Sequence, residues 1–105
     1  MIVCRLHLPT HDNDKNNLLY MHLALEDALG AAFGGFTSWE AYGHWRGDDG
    51  RVYNEPVRVY EVAMDKTAIV DFENIAKLYG RMAGQRAVFL IVDGCASIIN
   101  LGEKE

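Results

Sequence analysis

The spacing of apolar residues changes several times along the chain, and this change of period limits the fold more than any other feature. Residues 1–8 alternate apolar and polar side chains, which is typical of a half-buried strand. From about residue 15 to 33 the apolar side chains recur every three or four positions, as in an amphipathic helix that stops at Gly34-Gly35. Strand-like alternation then returns, and a second helical period covers residues 69–83. Because a segment with the helical period does not fit a strand and a segment with the strand period does not fit a helix, the sequence predicts an α+β protein.

The middle of the chain predicts a β-hairpin. Two strand-like runs, FTSWEAYGHW and RVYNEPVRVYEVAM, flank turn residues with a tip near Asp48-Asp49-Gly50. The run RAVFLIVDG predicts a fourth strand, and ASIINL predicts either a short fifth strand or a C-terminal arm. The order β-α-β-β-α-β indicates a ferredoxin-like fold, a single domain over residues 1–105 with both helices on one face of an antiparallel sheet. We expect Asn13 or Asp14 to cap the first helix.

The strands carry too many apolar residues for a sheet that is covered on one face only. Such a sheet alternates apolar and polar side chains, but AVFLIV does not alternate and PVRVYEVAM has apolar residues at both parities. No segment is left to form a third layer. The pattern therefore predicts a homo-oligomer, a dimer or trimer packed sheet to sheet. The alternative is that the C-terminal arm covers part of the second face.

Charge and hydropathy limit the partners of this chain. Ten Lys and Arg residues against fifteen Asp and Glu residues give a net charge of −5, which argues against a nucleic-acid partner and suits a small cationic ligand. The longest apolar run, 87–92, is too short to cross a bilayer, and the first residues lack a signal-peptide pattern, so we expect a cytoplasmic protein with no membrane partner. In that compartment Cys4 and Cys95 are expected to be reduced.

Familiar catalytic and cofactor motifs are missing from the sequence. His7 and His11 are four residues apart, but Pro9 lies between them and prevents the helical geometry that would let them share a metal. His22 and His44 are isolated in the sequence. Neither a glycine-rich phosphate loop nor a serine or cysteine nucleophile motif is present. We therefore predict no metal and no cofactor.

The hairpin combines aromatic residues with carboxylates. Its aromatic residues are Trp39, Tyr42, Trp45, Tyr53 and Tyr60. Strand propensity and core packing account for such a set, but aromatic faces beside a carboxylate also suit a cationic ligand. Glu55 lies at a strand entrance, where a site between subunits could be built, and solvent exposure is the alternative interpretation. Glu61 shares parity with two valines, so at an interface it would need a partner such as Arg5 or Arg58 of a neighbouring copy.

The second half of the chain resembles the phage S-adenosylmethionine (SAM) lyases, also called SAM hydrolases. The shared order is a glutamate entering a V-R-V strand, an Asp-Lys turn, an Ala-(Arg/Lys)-Leu helical step and a Gln-x-x-V-x-L strand. Here these positions are Glu55, Val57-Arg58-Val59, Asp65-Lys66, Ala76-Lys77-Leu78 and residues 85–90. The stretch GGFTSWEAYGHWRGDDGRVYNEP also resembles small uncharacterised phage and bacterial proteins of the domain-of-unknown-function type, through G-x-T, A-x-G-x-W and G-x-x-x-x-E-P.

The first resemblance implies a specific function. SAM lyases are ferredoxin-like, PII-like homotrimers with sites between subunits, and they split SAM into methylthioadenosine and homoserine lactone without a cofactor. It implies a phage protein that depletes, in the host cytoplasm, the cofactor of restriction and methylation enzymes. By position, the family's strand-entry glutamate falls on Glu55, whereas its hairpin tyrosine has no unambiguous counterpart, Tyr42 and Trp45 being the nearest and Tyr53 a further candidate. We assign catalysis to Glu55 and Tyr42, and ligand binding to Trp45, Tyr53, Glu61 and Arg58.

Two other functions fit the same residues. One is a non-catalytic PII-like oligomer that holds a small metabolite or a nucleotide between its subunits. The other is a small host-interaction protein whose hairpin face binds another protein.

Overall fold

The computed structural model describes residues 1–102 as two helices and a five-stranded sheet. The elements are β1 (Ile2–Pro9), α1 (Leu19–Phe33), β2 (Thr37–Arg46), β3 (Val52–Met64), α2 (Ile69–Met82), β4 (Ala87–Val92) and β5 (Cys95–Asn100), with a 3-10 turn, Lys66–Ala68, before α2. All strand pairs are antiparallel, in the order β2-β3-β1-β4-β5. The predicted ferredoxin-like α+β fold is confirmed. Within the described residues, no helix is long and apolar enough to span a membrane.

The C-terminal segment forms a fifth strand. Asp93 and Gly94, both with positive φ, make the tight turn that returns the chain beside β4. β5 therefore extends the edge of the sheet, and its residues do not lie across the second face. Of the two alternatives for ASIINL, the strand is the one that forms.

The first helix begins later than its period predicts. Asp12 closes a turn by accepting the backbone N–H of Asp14 at 2.9 Å. The side chain of Asn17 accepts the N–H of Leu19, the first residue of α1, at 2.6 Å. The prediction that Asn13 or Asp14 caps the helix is therefore wrong, because the intervening residues are held in a turn of their own.

The core lies between the helices and one face of the sheet. Alternate residues of β1 and β3 point towards the helices, and the register pairs Leu6 with Tyr60. The fully buried side chains that both layers contribute include Cys4, Leu6, Leu8, Leu25, Leu29, Tyr60, Val62, Phe72, Ala76 and Leu90. One face of each helix is thus buried in this core.

Gly80 marks the closest approach between α2 and β4. A Cβ at this position would overlap the side chain of Val88 and lie 2.9 Å from Cδ1 of Leu101. We expect Gly80→Ala to lower the free energy of unfolding by about 1–3 kcal/mol, since overpacking outweighs the gain in helix propensity. The matched control is Gly30→Ala in α1, where a Cβ meets nothing within 4 Å. That variant should gain about 0.5–1 kcal/mol in urea unfolding followed by circular dichroism, and equal effects of the two changes would contradict the packing argument.

The other side of the sheet carries a broad apolar surface, which we call the open face. It is formed by the alternate residues that point away from the helices, namely Val3, Arg5, His7, Trp39, Val57, Val59, Glu61, Phe89 and Ile98, together with the end of the hairpin. Ile98 is 73% exposed and Phe89 is 37% exposed. Both parities of β3 are apolar because one side faces the core, while on the open face Val57 and Val59 are buried by their neighbours, at 7% and 2% exposure.

Candidate functional site

The centre of the open face holds a charged pair that is satisfied within one chain. Arg5 contacts Oε1 of Glu61 through Nη2 at 2.8 Å and donates a hydrogen bond from Nε at 2.9 Å. The guanidinium also lies over the ring of Trp39, 5.8 Å from its centroid. The partner of Glu61 is thus Arg5 of the same chain, so the carboxylate needs no arginine from another copy.

Arg58 and Tyr42 lie on the helix side of the sheet. Arg58 pairs with Glu40 at 3.2 Å and donates to the Ser38 hydroxyl at 3.4 Å. Tyr42 lies opposite Pro56 in the hairpin and is 76% exposed. Since neighbouring strand positions alternate between faces, these two residues cannot meet Glu55 within one copy.

Glu55 and two aromatic residues meet on the open face near the end of the hairpin. The register places Glu55 opposite Gly43 and Tyr53 opposite Trp45. The Trp45 and Tyr53 rings stack, with centroids 6.4 Å apart and planes 27° from parallel. The Trp45 ring leans over Gly43, where an added Cβ would lie 3.3 Å from Cζ3 of Trp45 and 3.6 Å from Cγ1 of Val57. The missing side chain of Gly43 therefore leaves room for the indole at the position that the register pairs with Glu55.

Glu55 differs electrostatically from the other hairpin carboxylates. Glu61 and Glu40 each have an arginine partner, and no such ion pair involves Glu55 in the part of the chain that the structure describes. Partial burial raises the pKa of the Glu55 carboxyl above its ordinary value. A half-buried carboxylate without a counter-charge is costly for the free protein and favours binding a cation.

A cleft lies at the edge of the open face beside the connection between α1 and β2, far from Glu55. It has a volume of about 420 Å³ and is lined by Met1, Val3, Phe33, Gly34, Gly35, Phe36, Thr37, Glu61 and Ala63. Glu61 borders this cleft, whereas Glu55 lies six residues earlier on β3, about 20 Å away along an extended strand. The structure therefore brings Glu55, Trp45 and Tyr53 together and leaves Glu61 in separate surroundings.

The histidines do not assemble a metal site among residues 1–102. No group of three or more His, Cys, Asp or Glu side chains in this range is arranged to hold a metal ion. His7 packs edge-on against Phe89, with ring centroids 4.9 Å apart, and His44 bonds to Asn54 across the hairpin. His7 is thus engaged in packing against Phe89, and His44 in a hydrogen bond with Asn54.

Two solved structures are similar to this chain over almost its whole length. A phage SAM lyase in complex with S-methyl-5′-thioadenosine superposes with a TM-score of 0.73 at 13% identity, covering 98% of this chain and 92% of that chain. A phage SAM lyase in the apo state superposes with a TM-score of 0.73 at 12% identity, covering 98% and 91%. At this identity the likeness shows a shared fold, which is the fold that the sequence resemblance implies. No protein-family model and no curated protein sequence matches this chain.

Proposed function

We propose that the protein is a SAM lyase that binds SAM at the hairpin end of the open face and cleaves it to methylthioadenosine and homoserine lactone. The observation that carries this proposal is the half-buried Glu55, which forms no ion pair among residues 1–102 and shares a face with the stacked Trp45 and Tyr53. SAM presents an ammonium group, a sulfonium and an adenine, which match a carboxylate and two aromatic faces. The shared fold with a phage SAM lyase that binds the methylthioadenosine product supports the same ligand class.

The reaction requires the protein only to position SAM and to complement its charge. The sulfonium is already a good leaving group. The carboxylate oxygen of SAM attacks its own γ-carbon, a C–O bond forms, and the C–S bond breaks with its electron pair going to sulfur. Methylthioadenosine leaves as a neutral thioether and homoserine lactone keeps the ammonium, so atoms and charge balance without a metal, cofactor or protein nucleophile. The catalytic task is to hold the methionine part of SAM folded for this ring closure.

Glu55 is suited to hold the ammonium group during ring closure. The Glu55 carboxylate would accept a charge-assisted hydrogen bond from the ammonium of SAM. The positive charge of SAM would in turn offset the negative charge that makes burial of Glu55 unfavourable. The indole of Trp45 and the phenol ring of Tyr53 offer faces for adenine or for the methionine chain. These groups orient the reacting atoms and do not transfer protons.

The remaining site residues act in this proposal through a second copy. In one chain the Glu55 cluster is open to solvent, and Tyr42 and Arg58 lie on the opposite side of the sheet. A trimer with SAM bound between subunits would let one copy present Glu55 while a neighbour presents Tyr42 and Arg58, or Glu61. Such closure would also exclude water from the reacting carbon.

The proposed biological role is depletion of SAM in the cytoplasm of a phage-infected host. Restriction and methylation enzymes that depend on SAM would then lose their cofactor. Because this role needs only catalytic removal of a small molecule, it requires no contact with nucleic acid, in keeping with the net charge of −5.

Incubation of the purified protein with SAM tests the function directly. We expect chromatography with mass detection to show methylthioadenosine and homoserine lactone appearing in equal amounts, in proportion to protein concentration. SAM that stays intact after long incubation with micromolar protein would overturn the lyase proposal. A higher Tm with SAM or methylthioadenosine but no turnover would instead identify the non-catalytic binding protein, because a ligand bound only by the native state raises Tm.

A further inference from the structure

A chain of polar groups, buried at His22 and Tyr60 and partly buried at Glu26, connects α1 to the sheet on the helix side, away from the Glu55 cluster. His22, which is 5% exposed, approaches the carbonyl oxygen of Pro9 through Nε2 at 2.8 Å. Its Nδ1 lies 2.6 Å from the hydroxyl of Tyr60. That hydroxyl lies 3.1 Å from Oε2 of Glu26, one helical turn after His22. We call these four residues the His22 chain.

The three contacts of the His22 chain require three hydrogen atoms. The Pro9 carbonyl can only accept, so Nε2 of His22 must carry a hydrogen. The Nδ1 contact needs a second hydrogen and the carboxyl contact a third. Neutral imidazole and phenol together supply two hydrogens, and an ionised Glu26 supplies none. With only those two, one contact would set two lone pairs against each other in a buried place, which is costly.

We propose that the His22 chain is a proton-binding site that holds one additional, shared proton at neutral pH. In one arrangement the proton makes His22 an imidazolium, and Tyr60 donates to the ionised carboxylate. In the other, Glu26 is a carboxylic acid that donates to Tyr60, which donates to neutral His22. Both arrangements satisfy every contact and carry the same net charge.

The charged groups around the chain are consistent with a tightly held central phenol. Burial, together with the nearby carboxylate of Glu26, raises the pKa of Tyr60, so this phenol keeps its proton. Burial chiefly lowers the pKa of His22, the positive charge of Arg58 adds to this effect, and the Pro9 bond and Glu26 act against it. Phe36, whose ring packs edge-on against Tyr60 with centroids 5.5 Å apart, is uncharged. Burial thus opposes a charged His22, so the additional proton depends on the hydrogen bonds that the chain shares and not on the charges around it.

The His22 chain lies next to the middle of the hairpin. Thr10, which follows Pro9, donates its backbone N–H to the carbonyl oxygen of Pro56 at 3.1 Å. Pro56 is the neighbour of Glu55, and Tyr60 lies further along the same strand. Loss of the shared proton would leave one contact of the chain unmade, and would loosen the attachment of α1 to the end of β1 and to Tyr60 of β3.

The sign of the pH dependence follows from the proton count. At neutral pH the folded protein holds a proton that the separate His and Glu side chains of the unfolded chain have released, because their usual pKa values are about 6.5 and 4.3. Stability falls with rising pH wherever the folded state binds more protons. This contribution is thus present at low pH and is lost as pH rises through the pKa of the His22 chain.

Glu26→Gln is the decisive variant, because an amide supplies the third hydrogen permanently. The amide introduced by this change can donate to Tyr60, which then donates to neutral His22, and no proton is exchanged with solvent. We expect the Tm of wild type to fall between about pH 6 and pH 9, and the Tm of Glu26→Gln to lose most of that fall. Asp27→Asn, the neighbouring exposed carboxylate of α1, is the matched control and should keep the wild-type slope. A Glu26→Gln slope equal to that of wild type would overturn the proposal.

Nuclear magnetic resonance of the wild-type protein gives a second test that depends on no variant. At pH 7, the ¹⁵N shifts of the His22 ring and the ¹³C shift of the Glu26 carboxyl should report either an imidazolium or a carboxylic acid. A neutral His22 together with an ionised Glu26 at that pH would refute the shared proton.

Discussion

Replacing Glu55 with glutamine is expected to lower the rate of SAM cleavage by about 10²-fold or more, while making the ligand-free protein more stable. Loss of the charge removes the group that orients the ammonium of SAM. A misplacement of the reacting atoms by about 1 Å is enough to lower the rate by about 10²-fold. Stability should rise because the carboxylate is half-buried without an arginine partner in the described chain. The two measurements are methylthioadenosine formation and Tm, made on the same preparation.

The sign of the stability change follows from the raised pKa of Glu55. When burial lifts a folded-state pKa above the unfolded value, the protonated form contributes stability below about pH 4.3, and this is lost as pH rises through the folded pKa. At neutral pH the ionised side chain therefore destabilises the fold, and an amide does not. Cleavage by wild type should fall on acidification at a higher pH than an ordinary glutamate would give.

Glu73→Gln is the matched control, because it removes a carboxylate from α2 on the other side of the sheet. It should change neither the cleavage rate nor the direction of the pH profile. Unchanged activity in Glu55→Gln would contradict the residue assignment, and lower stability would contradict the interpretation that burial of its charge is unfavourable.

Much of the fold could be predicted from the sequence because apolar period reports local geometry. The change of period located both helices, and turn residues located the tip of the hairpin. The start of α1 could not be predicted, since Asp12 organises the preceding segment through its own side-chain bonds. Those bonds depend on a particular turn, and periodicity carries no information about it.

The candidate site could be predicted only in part. Glu55 and Tyr53 share a face because they lie two positions apart on one strand, which the sequence shows directly, whereas the place of Trp45 on that face follows from its pairing with Tyr53. The role of Gly43 depends on the cross-strand register, and the register depends on the exact turn. His22 is isolated in the sequence because it lies on α1, whereas its partners Pro9 and Tyr60 lie on β1 and β3.

Replacing Phe89 with aspartate is expected to convert the proposed oligomer into a folded monomer. Phe89 lies on the open face, is 37% exposed, and packs against His7 with ring centroids 4.9 Å apart. A carboxylate there would have to be desolvated between subunits, which opposes assembly even with His7 beside it, so we expect subunit affinity to fall by at least about 30-fold, as for other interface hot spots. Native mass spectrometry and sedimentation equilibrium measure the change, and circular dichroism checks that the monomer is folded.

Leu78→Asp provides the matched control for the Phe89 variant. Leu78 is an exposed leucine on α2, so the same kind of change falls on the helix layer and not on the open face. It should leave the oligomer intact. A wild-type monomer at micromolar concentration would contradict the sheet-to-sheet assembly, and dissociation by Leu78→Asp alone would move the interface to the helices.

Assembly and catalysis are expected to fail together in Phe89→Asp. The open Glu55 cluster in a single chain does not exclude water, and Tyr42 lies on the opposite side of the same sheet. If a neighbouring copy completes the site, the monomer should lose SAM cleavage even though Phe89 lies on β4, two strands away from Glu55. Activity should return at protein concentrations high enough to restore the oligomer. A monomeric variant with full activity would show that one chain suffices, and would assign the ligand site to Glu55, Trp45 and Tyr53 alone.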